Sequence, residues 1–90
     1  MNKSITIYVS GKVQGVFFRA SAKEEAESLG LFGTVRNMSD GRVCLEVEGD
    51  PGLLEMMISW CKRGSRMARV ENVDVQESEL KGFTSFDIIT

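Results

Sequence analysis

The 90-residue sequence contains no histidine. Histidine is the usual general base near neutral pH and the usual partner of a serine or cysteine nucleophile. Without it, the two cysteines of the chain do not complete a common zinc site. Any catalysis must therefore rely on positioning and electrostatics, or on a carboxylate, and no metal ligand set is predicted.

Cysteine is also scarce, and its two positions do not suggest a disulfide. Cys44 and Cys61 lack the short spacing of a redox pair. Cys61 lies on the apolar stripe of a predicted helix, whereas Cys44 alternates out of phase with the apolar residues of a predicted strand. We therefore expect the thiols to be free and to lie on opposite faces of the sheet.

Long apolar runs and a strong net charge are absent as well. No segment approaches the roughly 20 apolar residues of a membrane span, and residues 1 to 10 alternate in polarity, unlike a signal peptide. We accordingly predict a cytoplasmic protein without a membrane partner.

The formal net charge of −2 gives no global attraction to nucleic acid. The length predicts a single domain over residues 1–90, and we expect the protein to be a monomer.

The apolar pattern predicts strands and helices in the order βαββαβ, followed by a short C-terminal edge strand. Ile5, Ile7 and Val9 alternate with polar residues, which is typical of a half-buried strand. The other predicted strands cover residues 33 to 37, 43 to 48, 69 to 76 and 85 to 90. Between the second and third of these strands, Asp40 and Gly41 form a hairpin signal.

Two segments have the apolar spacing of helices that pack by one face. The first has its apolar residues at Ala22, Ala26 and Leu29, and the second at Leu54, Met57, Ile58 and Cys61. Ser21 is expected near the N-cap of the first, and Gly30 at its end. Asp50 and Pro51 are expected to open the second. With both helices on one face of an antiparallel sheet, the fold class is α+β, a ferredoxin-like α/β sandwich.

The most informative segment is the loop from Gly11 to Arg19, between the first strand and the first helix. Such a turn can point several backbone N–H groups at one position, and the positive end of the helix lies beside it. Arg19 adds a planar, permanently charged fork. The loop is thus predicted to bind a phosphate-like dianion through the backbone of Gly15, Val16, Phe17, Phe18 and Arg19.

Within this loop, residues 13 to 19 read Val-Gln-Gly-Val-Phe-Phe-Arg and resemble the Val-Gln-Gly-Val-x-Phe-Arg loop of acylphosphatases. Residues 33 to 37, Gly-Thr-Val-Arg-Asn, with the Asp-Gly that follows, resemble the second motif of that family. The resemblance covers essentially the whole chain. It implies hydrolysis of a small-molecule acyl phosphate to a carboxylate and inorganic phosphate, without metal or cofactor. By position, Arg19 matches the family's substrate-binding arginine and Asn37 its water-positioning asparagine.

Two residues depart from the family pattern. Thr34 stands where the family often has an aromatic residue, which leaves the pocket wall and the acyl preference open. Ser65 stands where many members have proline, which predicts a looser loop before the fourth strand. We also expect Phe18 to lie in the core and Phe17 to flank the pocket.

Two other functions are compatible with this fold order. One is a non-catalytic module that binds an anion or regulatory ligand, because fold does not determine activity. The other is an RNA-binding domain, which needs exposed aromatic and basic residues on its sheet. Only Tyr8 is an aromatic on the predicted open face, and Glu46 and Glu48 on the same face would repel RNA. No nucleic-acid partner is therefore predicted.

Overall fold

The structure is a computed structural model that describes all 90 residues. Its elements are β1 (Lys3–Lys12), α1 (Phe18–Ser28), β2 (Phe32–Asn37), β3 (Val43–Gly49), α2 (Pro51–Arg63), β4 (Arg69–Ser78) and β5 (Phe86–Ile88). The predicted βαββαβ order with a terminal strand is confirmed. Neither helix is long and apolar enough to cross a membrane.

The five strands form one sheet in the order β4-β1-β3-β2-β5. The first four strands pair antiparallel, as predicted. At the edge, β5 pairs with β2 in parallel, so the complete sheet is mixed rather than antiparallel throughout. This arrangement requires a crossover because β4 and β5 lie at opposite edges, and residues 79 to 85 carry the chain between them.

The core lies between the helices and one face of the sheet. Ile7 of β1 pairs with Leu45 of β3, and both side chains are fully buried, as the alternation predicts. The rings of Phe18 in α1 and Trp60 in α2 are 5.2 Å apart between centroids and tilted by 55°, a favourable aromatic contact. This contact joins the two helices and fixes the beginning of α1 against α2.

The two helices begin in different ways. The carboxylate of Asp50 accepts the backbone N–H of Gly52 at 2.9 Å, and Pro51 is the first residue of α2, so this predicted start is confirmed. The prediction that Ser21 caps α1 is wrong, because α1 already begins at Phe18 and no side chain caps it. Burial of Phe18 in the core draws the helix one turn earlier than the capping preference of serine indicates.

The face of the sheet opposite the helices is partly covered, contrary to the expectation of an open acidic surface. Both carboxylate oxygens of Glu48 accept backbone N–H groups from the crossover, donated by Lys81, Gly82 and Phe83. Glu48 is consequently only 4% exposed. Glu46, on the same face, forms an ion pair with the Lys81 side chain.

Other residues on this face are also engaged. Cys44 is buried, as is Cys61 among the core residues, and both cysteines are free, as predicted. The guanidinium carbon of Arg42 lies 4.9 Å from the centroid of the Tyr8 ring. This cation–π contact occupies one side of the aromatic ring that the RNA-binding alternative would need for base stacking.

Candidate active site

The loop from β1 to α1 is anchored from below by two valines. The side chains of Val13 and Val16 are buried in the core. Gly15 lies between the two valines and has φ 73°, and Phe17 follows Val16 and has φ 61°. Both values are in the left-handed region. The two left-handed residues turn the backbone sharply, so that the loop wraps around one point at the start of α1.

The backbone N–H groups of residues 15 to 19 have no protein acceptor. The loop residues lie outside the strand ladder, and the first N–H groups of a helix have no partner within the helix. A series of unpaired N–H groups at the positive end of a helix is a favourable environment for an anion. The structure therefore leaves these backbone donors unpaired, and binding of an anion by the loop stays a prediction.

A cavity of about 310 Å³ opens beside this loop. It is lined by Val13, Gly15, Phe17, Phe18, Arg19, Ala20, Asn37 and Ile88. Among the predicted site residues, only Val16 is missing from this lining, because its side chain points into the core and its contribution is restricted to the backbone. The structure thus brings Arg19 of α1 and Asn37 of β2 to the same cavity.

Arg19 is the only positively charged side chain that lines the cavity. It is half-buried in the first turn of α1 and takes part in none of the ion pairs of the protein. A guanidinium at the positive end of a helix is electrostatically unfavourable unless an anion lies nearby. Its fork of donors is available for two oxygens of such an anion.

Asn37 contributes an unpaired acceptor. Its side-chain oxygen Oδ1 is buried and has no hydrogen-bond partner, and it is the one buried side-chain polar atom of the protein in this condition. Buried polar atoms are almost always paired in folded proteins. An unpaired amide oxygen in a cavity is suited to accept a hydrogen bond from a water or a ligand.

The hairpin turn after Asn37 is held to the loop by Gln14. The side-chain nitrogen Nε2 of Gln14 donates to the carbonyl oxygens of Met38 at 2.8 Å and Arg42 at 2.9 Å. Within the turn, hydrogen bonds from the backbone and guanidinium of Arg42 hold the pKa of Asp40 below its usual value. Gln14 belongs to the motif used for the sequence prediction, but its contact partners are distant in sequence and could not be predicted.

Val13, Ala20 and Ile88 line the cavity but were not among the predicted site residues, and Ser65 supports the loop from outside the cavity. Ile88 reaches the cavity because β5 pairs in parallel with β2, which places it opposite Val35. Ser65, whose replacement of proline predicted a looser loop, is instead buried and donates its hydroxyl to the carbonyl oxygen of Val16 at 2.8 Å. By contrast, Thr34 pairs with Glu46 on the sheet and does not line the cavity.

A ferredoxin-like sandwich with unpaired backbone donors, an arginine and an asparagine around one cavity is a small α+β protein whose cavity is suited to an anion. Comparison with known proteins gives the family. The acylphosphatase family profile matches residues 5–88. An acylphosphatase of Rubrobacter xylanophilus is 50% identical over 80 residues, which make up 89% of this chain and 73% of the relative.

Two further comparisons agree. An acylphosphatase of Methylococcus capsulatus is 47% identical, covering 97% of this chain and 96% of the relative. The solved structure of an acylphosphatase from Coxiella burnetii superposes with a TM-score of 0.95 at 38% identity, covering 98% of this chain and 93% of that one. The chain belongs to the acylphosphatase family. It is an enzyme that hydrolyses the carboxyl–phosphate bond of acyl phosphates to a carboxylate and inorganic phosphate.

Proposed function

We propose that Arg19 and the backbone N–H groups of residues 15 to 19 bind the phosphate group of the substrate, while Asn37 positions the attacking water. The observation that carries this proposal is that the unpaired N–H groups, the unpaired guanidinium and the unpaired Oδ1 of Asn37 surround one cavity. Phosphoryl transfer needs charge stabilisation on the equatorial oxygens and a nucleophile in line with the leaving group.

In this mechanism the water oxygen attacks phosphorus, and the bond between phosphorus and the acyl oxygen breaks. The bonding electrons leave with the carboxylate. Arg19 and the loop N–H groups stabilise the negative charge on the phosphoryl oxygens without reorganisation, which is the main source of rate enhancement in such sites. Asn37 Oδ1 accepts one hydrogen of the water and thereby directs a lone pair at phosphorus.

The water proton passes to an oxygen of the phosphate group. The cavity has no histidine or carboxylate among its lining residues, so none of these side chains is a base of useful strength. A carboxylate is a good leaving group, and weak activation of the water is therefore sufficient. The reaction balances as one acyl phosphate and one water giving a carboxylate and dihydrogen phosphate. We propose that it needs neither metal nor cofactor.

The acyl part of the substrate lies against the apolar side of the cavity, formed by Phe17 and Ile88. Both residues line the cavity and have exposed side chains, and Phe17 is 76% exposed. An exposed aromatic ring beside a phosphate site provides apolar area for an acyl group. We further propose that residues 1–90 carry out the reaction as a monomeric single domain in the cytoplasm.

The test is hydrolysis of benzoyl phosphate in the presence of a chelator by wild-type protein and by Arg19→Ala and Asn37→Ala. Each variant should lose about 10²–10³ in kcat/KM, the usual effect of removing one preorganised transition-state group. Arg63→Ala and Asn72→Ala are matched controls at exposed positions away from the cavity and should retain activity. Wild-type turnover that is abolished by the chelator, or turnover insensitive to both cavity variants, would contradict the proposal.

The proton transfer has its own measurement. If the phosphate group accepts the proton, kcat/KM shows no ionisation of an essential enzyme base between pH 5 and 8. An inflection in this range that does not follow the ionisation of the substrate would show that the enzyme supplies a base.

A further inference from the structure

One side chain from outside the loop bonds to the backbone of residues 15 to 19. Ser65, in the connection between α2 and β4, donates its hydroxyl to the carbonyl oxygen of Val16 at 2.8 Å. The bond is buried and joins residues 49 positions apart in sequence, and Ser65 itself is 7% exposed. No other side-chain hydrogen bond reaches the backbone of this segment.

The bond controls the orientation of one peptide group. The carbonyl of Val16 and the N–H of Phe17 belong to the same planar trans peptide and point in opposite directions. Because Ser65 holds the carbonyl oxygen on the buried side of the loop, the Phe17 N–H is directed to the opposite side. Phe17 lines the cavity, and its N–H has no protein acceptor.

The same peptide group is adjacent to a strained residue. Phe17 has φ 61° and ψ 23° and is the only residue other than glycine with positive φ. This conformation is disfavoured for a residue with a Cβ. Burial of the Phe17 ring does not compensate for it, since the side chain is 76% exposed. Rotation of the peptide between residues 16 and 17 changes φ of Phe17 and would relieve the strain.

We infer that Ser65 is a positioning residue for the phosphate-binding loop: its bond to the Val16 carbonyl keeps the strained peptide rotated so that the Phe17 N–H points at the bound phosphate. This inference rests on the proposed function of the loop. Ser65 touches neither the substrate nor the reacting atoms, and it acts only through the peptide group.

The inference predicts a specific kinetic pattern for Ser65→Ala. Without the hydroxyl, the peptide populates rotated conformations in which one donor is lost from the cavity. The apparent affinity is the affinity of the competent conformation multiplied by the fraction of molecules in that conformation. We expect the dissociation constant for inorganic phosphate and the KM for benzoyl phosphate to rise about tenfold. The kcat should stay within about twofold, because saturating substrate selects the competent conformation.

The experiment compares Ser65→Ala, Ser65→Thr and Ser4→Ala with the wild-type protein. Ser65→Thr keeps the hydroxyl and should restore phosphate binding. Ser4→Ala is the matched control, since Ser4 is also buried, at 4% exposure, and its hydroxyl bonds to that of Ser78 at 3.1 Å in the sheet. It should lose stability to urea but bind phosphate normally. Phosphate binding is measured by calorimetry and by competitive inhibition.

The backbone amide resonance of Phe17 provides a second readout, which does not depend on whether a threonine can be accommodated at the buried position 65. In the ¹⁵N-labelled wild type, this resonance should move downfield when inorganic phosphate is added, and in Ser65→Ala the shift should be largely lost. Unchanged phosphate affinity and an unchanged Phe17 shift in Ser65→Ala would overturn the inference, as would an equal loss of phosphate affinity in Ser4→Ala.

The variant Arg19→Ala distinguishes a failure of the inference about Ser65 from a failure of the proposed function. If only the role of Ser65 is wrong, Arg19→Ala loses phosphate binding while Ser65→Ala retains it. If the loop does not bind phosphate at all, both variants bind it as the wild type does.

Discussion

The side-chain nitrogen of Gln14 donates to the carbonyl oxygen of Met38 at 2.8 Å, joining residues 24 positions apart. Gln14 directly precedes Gly15 in the loop, and Met38 directly follows Asn37 at the end of β2. One amide group therefore connects the proposed phosphate-binding loop to the strand end that carries the proposed water-positioning residue. A second bond from the same nitrogen, to Arg42, holds the other side of the hairpin turn.

Replacing Gln14 with leucine should reduce activity more than it reduces phosphate affinity. The change removes two side-chain hydrogen bonds, while the carbonyls of Met38 and Arg42 each keep a backbone N–H donor. At about 0.5–1.5 kcal/mol for each lost bond, the free energy of unfolding should fall by about 1–3 kcal/mol. Without these hydrogen bonds, the turn no longer holds Asn37 in position, and we expect kcat to fall about tenfold. Steady-state kinetics with phosphate as a competitive inhibitor measure kcat and phosphate affinity, and urea unfolding measures stability. The control Gln76→Leu, at an exposed position on β4, should change neither; an equal loss of kcat there would contradict the role of Gln14.

Gly15→Ala should weaken phosphate binding more than it weakens folding. Gly15 has φ 73°, and an added Cβ would meet no protein atom within 4 Å, so its effect on stability is backbone strain of about 1–2 kcal/mol. In the loop, the same strain should move the N–H groups that we propose to contact phosphate. Gly30→Ala is a close control, because Gly30 has φ 72° and equally open surroundings but lies at the far end of α1. Equal phosphate binding in the two folded variants would refute the prediction.

Glu48→Gln should destabilise the protein without changing its active site. The carboxylate of Glu48 accepts three backbone N–H groups of the crossover, and an amide cannot replace both acceptor oxygens. We expect a loss of about 2–3 kcal/mol in urea unfolding.

Catalysis should survive in folded Glu48→Gln. Glu48 pairs with Phe32, at the end of β2 that is five residues and about 17 Å from Asn37. The control Glu46→Gln removes an exposed ion pair with Lys81 and should cost at most about 1 kcal/mol. A larger effect at Glu46 than at Glu48 would show that the surface ion pair, and not the buried carboxylate, holds the crossover.

Alkaline pH should destabilise the protein through Cys61. Burial raises the pKa of this thiol from 9.0 to about 12. Since the folded pKa lies above the unfolded one, the contribution to stability is complete below pH 9 and is lost progressively as the pH rises from 9 towards 12. Between pH 9 and 11, the free energy of unfolding should fall more steeply in the wild type than in Cys61→Ala, by about 1 kcal/mol per pH unit. Parallel curves for the two proteins would contradict the assignment to Cys61.

Short sequence patterns predicted the helices and strands well, because each pattern reflects one physical requirement of the helix or strand that contains it. The alternation of Ile5, Ile7 and Val9 and the cap at Asp50 correspond to a strand and a helix start in the structure. The prediction for Ser21 failed because its capping preference is weaker than the burial of Phe18 against Trp60. Capping is worth about 1 kcal/mol, whereas burial of a large aromatic side chain is worth about 2–3 kcal/mol.

By itself, the sequence determined the order of the elements, the family, and the placement of Arg19 and Asn37 as the candidates for chemistry. These follow from residue types and spacings within short segments. Only the tertiary structure decided that β5 pairs in parallel and brings Ile88 to the cavity, that Glu48 is buried under the crossover, and that Ser65 bonds to Val16. Such contacts join residues far apart in the chain, and they exist only once the packing of the core has fixed which surfaces meet.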